Sequence, residues 1–202
     1  MNENSSNSSK QILISILGVA ILIVAVVGIS FAAFTYAGTG NTTNTITTGT
    51  ITMSYTEPTN GINLTDALPI TDTAGKALTG NNNTFDFTVA ATISGSTTIN
   101  YAITAVKGDG CTVADSGVKV YLTDQNDAQI LAPTKVAELT TTASDNAAGA
   151  PAGQYVLKTG TYTATKTEKY RLRMWVADDY NAPATSQKYI LKVNVYGAAA
   201  AQ

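Results

Sequence analysis

Tyr170, Leu172, Met174 and Val176 alternate with Arg171, Arg173 and Trp175, and the same period of two returns where Tyr189, Leu191, Val193 and Val195 alternate with Lys188, Lys192 and Asn194. Successive side chains of a strand point to opposite faces, so this pattern fits a half-buried strand and no helix. Phe85, Phe87, Val89, Ala91 and Ile93 repeat it, with Asp86, Thr88 and Thr92 on the other face. After Ser94-Gly95-Ser96-Thr97, it resumes in Ile99, Tyr101, Ile103 and Ala105, so the two runs read as a hairpin. Val118, Val120 and Leu122 predict a short strand that ends at Asp124-Gln125-Asn126-Asp127. Weaker strands are expected over residues 45–55, 154–158 and 161–165.

No amphipathic helix is expected in this part of the chain; residues 132–139 leave room for a turn or two. Residues 140–153, with Ala, Ser, Gly and Pro, read as a long flexible loop. Eight or nine strands at these spacings predict an all-β fold over residues 45–202, a jelly-roll or immunoglobulin-like β-sandwich. The Cys and Trp spacing of a true immunoglobulin domain is missing.

Ahead of this domain, residues 12–33 run without a charge through Ile, Leu, Val, Ala and Phe. As a helix the run is ~33 Å long, enough to cross a ~30 Å hydrocarbon layer. Residues 1–36 therefore read as one N-terminal transmembrane or signal helix, and residues 37–44 as a flexible linker. Lys10 and the terminal amine are expected to stay inside, which places everything after Tyr36 outside. The run exceeds an ordinary signal core, which favours a retained anchor. Small-x-small sites also stand at Ser30-Phe31-Ala32 and Thr35-Tyr36-Ala37, so secretion after cleavage near Ala32 or Ala37 stays open. No Cys follows the run for acylation, and it lacks the glutamate of a type IV pilin. Leu68-Pro69-Ile70-Thr71-Asp72 looks like a sortase signal but has no apolar tail behind it, and reads as a loop.

Charged residues make up 13% of the chain, with a net charge of −2 and no basic run. That argues against nucleic acid as a partner. It also removes one defence against edge-to-edge strand pairing. The chain has no His, hence no Ser-His-Asp or Cys-His arrangement, and Cys111 is its only cysteine, hence no intrachain disulfide. No catalytic, cofactor-binding or metal-binding residue is assigned, and the chain does not read as an enzyme. Cys111 reads as a small, partly buried loop residue rather than a reactive thiol. Asp178-Asp179-Tyr180-Asn181 and Asp124 to Asp127 offer oxygens to Ca²⁺, but neither completes a calcium loop, and turn chemistry alone explains them. Sequons at Asn41, Asn63 and Asn82 are expected by chance in this composition. Trp175 reads either as an exposed aromatic for a ligand or subunit, or as packed under the 177–186 loop. Arg171 and Arg173 are expected to pair with carboxylates across strands.

The apolar run ends in Phe31-Ala32-Ala33-Phe34-Thr35-Tyr36, and Asn41-Thr-Thr-Asn-Thr-Ile-Thr-Thr-Gly-Thr-Ile-Thr follows. This entry resembles that of the camelysin/TasA-like exported surface and biofilm-matrix proteins of Gram-positive bacteria. Ser94-Gly-Ser-Thr-Thr-Ile-Asn-Tyr101 is similar to a later turn and strand of that family. Tyr170-Arg-Leu-Arg-Met-Trp-Val176 looks like a strand of related small surface proteins. The resemblance covers the first half and one short motif near the end. Leu78-Thr-Gly-Asn-Asn-Asn-Thr84 stands where the family has a Pro-Gly-Asp segment. The resemblance implies a surface-exposed jelly roll and, in fibre-forming members, an N-terminal strand that completes the sheet of the next subunit. Some camelysin-like proteins carry a protease label, but no His-Glu-x-x-His stands here.

The reading is then an exported cell-surface structural protein, a matrix subunit that assembles by strand complementation. Its partners are other copies or other surface proteins, and it meets the membrane through the N-terminal helix. The alternative is a membrane-anchored monomeric adhesion or ligand-binding module.

Overall fold

The alternating runs do form strands, but they divide between two sheets, and the two longest adjacent pairs of runs are not hairpins. The computed structural model describes residues 35–39, 44–48, 51–56, 62–65, 67–80, 84–93, 97–181 and 187–200. Residues 1–34 of the expected membrane or signal helix, Asn41 and Asn82 lie outside these residues, and the last two residues read into that helix, Thr35 and Tyr36, are in a strand instead. Among the described residues no helix is long and apolar enough to cross a membrane.

In chain order the elements are β1 (Thr35–Thr39), β2 (Asn44–Thr48), β3 (Ile51–Thr56), β4 (Ile62–Thr65), β5 (Pro69–Ile70), α1 (Asp72–Lys76), β6 (Thr84–Ile93), β7 (Ile99–Lys107), β8 (Val118–Asp124), β9 (Gln129–Lys135), β10 (Tyr155–Tyr162), β11 (Lys166–Ala177) and β12 (Lys188–Ala199). The first sheet runs β1-β12-β7-β10, with β4 also on β12. The second runs β2-β3-β6-β11-β8-β9, with β5 also on β11. All pairs are antiparallel except β5 with β11.

The inner faces supply the core of an all-β, two-sheet sandwich. Phe85, Phe87 and Val89 of β6, Leu172 and Met174 of β11, and Val120 and Leu122 of β8 are buried on one side. Ile99 and Ile103 of β7 and Leu191, Val193 and Val195 of β12 are buried on the other. Each such side chain contributes about 1.5–3 kcal/mol of transfer free energy. Phe87 stacks between Phe85 and Tyr170, at ring-centroid distances of 5.6 and 5.3 Å. Met53 of β3 reaches across to β12, where a Cβ on Gly197 would stand 2.3 Å from its sulfur.

Several expectations are corrected. The β6 and β7 runs are not a hairpin: β6 pairs with β3 and β11, whereas β7 pairs with β12 and β10. Alternation fixes which residues face the core, and both sheets face the same core, so it cannot distinguish a hairpin from a crossing between sheets. The weak strands at 154–158 and 161–165 are one strand, β10, with a register shift between Val156 and Lys158. Residues 132–139 hold the end of β9 and a single 3₁₀ turn, Val136–Glu138. Of the linker read at 37–44, Ala37–Thr39 belong to β1 and Asn44 opens β2, and residues 40–43 lie outside the described residues.

Residues 140–153 follow a defined path over the first sheet. Asn146 donates to the carbonyls of Ala143 and Ala150 and accepts from Ala150 N–H, and Thr142 accepts from Gln154 N–H. Side-chain bonds of this kind stand in for a strand ladder. They seat Ala148 and Ala150 on Ala102 and Tyr196.

Candidate assembly edge and polar clusters

One side of β12 pairs with β7 from Leu191 to Ala199, and the other side is filled in two pieces. β4 covers the first piece, from Lys188↔Thr65 to Leu191↔Ile62. β1 covers the second, from Asn194↔Thr39 to Ala198↔Thr35. β4 alternates buried and exposed residues, and its Ile62 and Leu64 are 2% and 3% exposed. It is pinned by its side chains as well as its ladder. β1 is the first described element of the chain and lies at the rim of its sheet, paired with β12 alone.

β2 is a rim of the second sheet, and two further rims carry devices that discourage added strands. β9 has Pro133 and two register shifts against β8. β10 is flanked at one end by the 140–142 segment, through the Thr141↔Tyr155 bridge and the bond from Val156 N–H to Thr140 O.

Two carboxylates organise the polar side chains. Glu168 of β11 accepts from Tyr162 Oη at 2.8 Å, from Tyr170 Oη, and from Lys166 Nζ at 2.8 Å, with Lys158 Nζ at 3.6 Å. Lys158 also donates to Tyr170 Oη at 2.9 Å. Tyr101 stacks on Tyr162 with centroids 4.3 Å apart and points its hydroxyl at Glu168. The cluster joins the two sheets, since Tyr101, Lys158 and Tyr162 come from β7 and β10. Burial alone would raise the Glu168 carboxyl, but the bonds from Lys166, Tyr170 and Tyr162 and the Lys158 charge hold it down at about 2. Burial and the bond to Glu168 push the Tyr162 and Tyr170 hydroxyls far above their ordinary range.

Asp115 is built the same way. It accepts from Lys107 Nζ and Tyr155 Oη, each at 2.6 Å, and from Tyr189 Oη at 3.0 Å. Burial works against its charge, and these three donors outweigh it, so its carboxyl titrates below the ordinary range. The bond to Asp115, with burial second, raises Tyr155 to about 12. A general base works best near the operating pH with a free lone pair for its substrate. Glu168 and Asp115 each accept at least three hydrogen bonds and are held below the ordinary carboxyl range, which suits clamps.

The residues singled out in the sequence fall out as follows. Trp175 is 2% exposed and packs beneath α1, where a Cβ on Gly75 would stand 2.3 Å from its ring. Thr71 caps α1, and Asp72 at its start pairs with Lys119 at 2.7 Å. The exposed-aromatic reading of Trp175 is thereby corrected, and the cover over it includes α1, which no periodicity announced. Its indole N–H has no hydrogen-bond partner among the described residues. Arg171 pairs with its cross-strand partner Asp86 at 2.7 and 2.8 Å, and Arg173 reaches Asp127 at 2.6 Å and the Leu78 carbonyl at 2.9 Å. Cys111 is half-buried, donating to the Gly108 carbonyl at 3.1 Å and accepting from Ile190 N–H at 3.2 Å.

Asp124 accepts from the N–H groups of Asn126 and Ala128, and Asp179 pairs with Lys135 at 2.6 Å. These two acidic loops are thus engaged in turns and ion pairs. No group of three His, Cys, Asp or Glu able to hold a metal ion stands together among the described residues. Asn63 is exposed on β4, and Leu68 lies in the short stretch ahead of β5. The Glu168 cluster escaped the sequence reading, although Glu168 continues the inward series Tyr170, Leu172, Met174 by one step. No family model, no curated protein and no solved structure matches this chain.

Proposed function

We propose that the chain is an exported cell-surface structural protein, a jelly-roll subunit that joins into fibres when β1 of one copy adds to β12 of the next. The observation that carries this reading is the position of β1. It is a five-residue rim strand, the first described, and among the described residues it pairs with β12 alone. Exchanging an identical element between copies replaces the same main-chain bonds, so the swap is inexpensive. The low charge of the chain leaves little repulsion between copies at that rim.

Export follows from the apolar run at residues 12–33, which also gives the contact with a membrane. β1 discriminates between the two cleavage positions. A cut near Ala32 leaves Thr35–Thr39 whole, whereas a cut after Ala37 divides the strand, so processing near Ala32 fits assembly. The partners are other copies of the chain or other surface proteins, without nucleic acid.

The test is electron microscopy of the exported protein purified from cells, beside a variant lacking residues 35–39. Filaments in the first and none in the second support the reading. Single particles at every concentration point to the alternative, a membrane-anchored monomeric adhesion or ligand-binding module.

A further inference from the structure

The second sheet ends in β9 on one side and in β2 on the other. β9 carries Pro133 and Lys135 and meets β8 with two register shifts. β2 has none of these. Its five residues, Asn44 to Thr48, pair with Tyr55 to Ile51 of β3 without a shift. No charged residue and no proline stands between Asn44 and Thr56. A regular, uncharged rim strand presents N–H and C=O groups that another strand can take up. β10 meets β9, and β1 meets β3. The two rims with protective devices thus share one flank of the sandwich, and the bare rims β1 and β2 share the other.

The partner that suits β2 follows from its positions. Directly opposed residues of neighbouring strands share a face, and successive residues alternate between faces. Ile46 stands opposite Met53 and Met53 opposite Ala91, a row in which Met53 and Ala91 are buried. An added strand keeps its faces in line with this row only in every second register. For β2 of a second copy, run antiparallel, those are the registers in which one residue opposes itself. Centred on Ile46, the pair matches all five residues: Ile46 with Ile46, Thr45 with Thr47, and Asn44 with Thr48. Centred on Thr45 or on Thr47, only three residues of each strand find partners. The five-residue register also sets β-branched residues opposite one another at its three middle positions, pairs that favour strand association.

We infer that β2 is a dimerisation edge, to which β2 of a second copy adds antiparallel across a two-fold axis with Ile46 opposite Ile46, joining two second sheets into one. Such a contact uses the same edge on both copies and closes at two. It goes beyond the exchange of β1, which belongs to the other sheet, and is open to an isolated subunit and to one within a fibre.

The test uses the full-length exported protein with Cys111→Ser, so that each added cysteine stands alone. Ile46→Cys places a cysteine on the proposed axis, and mild oxidation should link it to the same residue of a second copy. Thr45→Cys by itself should link little. Its counterpart stands two positions, about 6–7 Å, along the partner strand, in addition to the spacing between strands. Cysteines whose Cα atoms are more than about 7 Å apart do not bridge without backbone movement. Thr45→Cys mixed with Thr47→Cys should link, since those positions are opposed. Thr47→Lys, added to Ile46→Cys, puts a charge on the edge and should cut the linked fraction about tenfold.

Linked dimer from Ile46→Cys and from the mixture, with little from Thr45→Cys alone, supports the two-fold register. Self-linking of Thr45→Cys as strong as that of Ile46→Cys would overturn that register. No link from Ile46→Cys and none from the mixture, in chains whose circular dichroism matches the parent's, would overturn the edge itself. So would linking that Thr47→Lys leaves unchanged, which would mark chance collision. None of these outcomes decides strand exchange through β1, because filaments are scored separately by microscopy.

Discussion

Glu168 and Asp115 are alike in chemistry and different in what they join. Each is a single carboxylate that accepts from tyrosine hydroxyls and lysine, and each is held below the ordinary carboxyl range. Glu168 sits on β11 of one sheet, and Tyr101, Lys158 and Tyr162 reach it from the other. Asp115 sits in a connecting 3₁₀ turn, and its donors Lys107, Tyr155 and Tyr189 all belong to one sheet. The first therefore holds the two layers together, and the second holds a connection down onto one layer. One motif can therefore bear on global unfolding or on local opening, depending on which elements supply its donors.

The largest expected effect is on Glu168. Glu168→Ala leaves tyrosine hydroxyls and Lys158 without their acceptor, a loss of about 3 kcal/mol measured by chemical denaturation. Asp115→Asn keeps the shape and part of the hydrogen bonding, and should cost about 1–2 kcal/mol. If Asp115→Asn proves the more damaging, the distinction between layer and connection is broken. Hydrogen exchange sharpens it: Asp115→Asn should raise exchange near residues 108–117, whereas Glu168→Ala should raise it throughout both sheets.

Acid titration is the next test. Glu168 titrates at about 2 in the fold against an ordinary 4.5, so it binds its proton less readily folded than unfolded. Its contribution is complete above about pH 5 and fades as pH falls from there toward 2. Glu168→Gln should flatten the loss of stability across that window, and an unchanged acid limb would contradict the assignment. The smallest effect is expected for a surface pair outside both clusters. Arg171→Ala breaks its bond to Asp86 and should cost about 0.5 kcal/mol, a reference against which the two clusters are read.

Inward-facing residues were legible because a strand's period is two. Phe85, Phe87, Leu172 and Val193 are buried as the alternation requires. Partnership between strands was not, since β6 and β7 follow one another in sequence yet lie in different sheets. The α1 cap over Trp175 was hidden because five residues are too few to show a helical period. The edge on β12 was half legible. The polar, uncharged stretch after the apolar run read as a linker over residues 37–44, whereas the strand on β12 is Thr35–Thr39, whose first two residues fall in the expected helix. That β1 and β4 share one side of β12 depends on contacts between the first strands and the last, which no local pattern records.

β1 is the first described strand and β12 the last, and they pair. During synthesis from the N-terminus, this strand is made long before its own partner exists. Its ladder can close within the chain only when everything between has been made, the kind of distant contact that forms slowly. Timing alone thus leaves the first strand without its partner through most of the chain's synthesis, and makes its closure onto β12 a late step of folding.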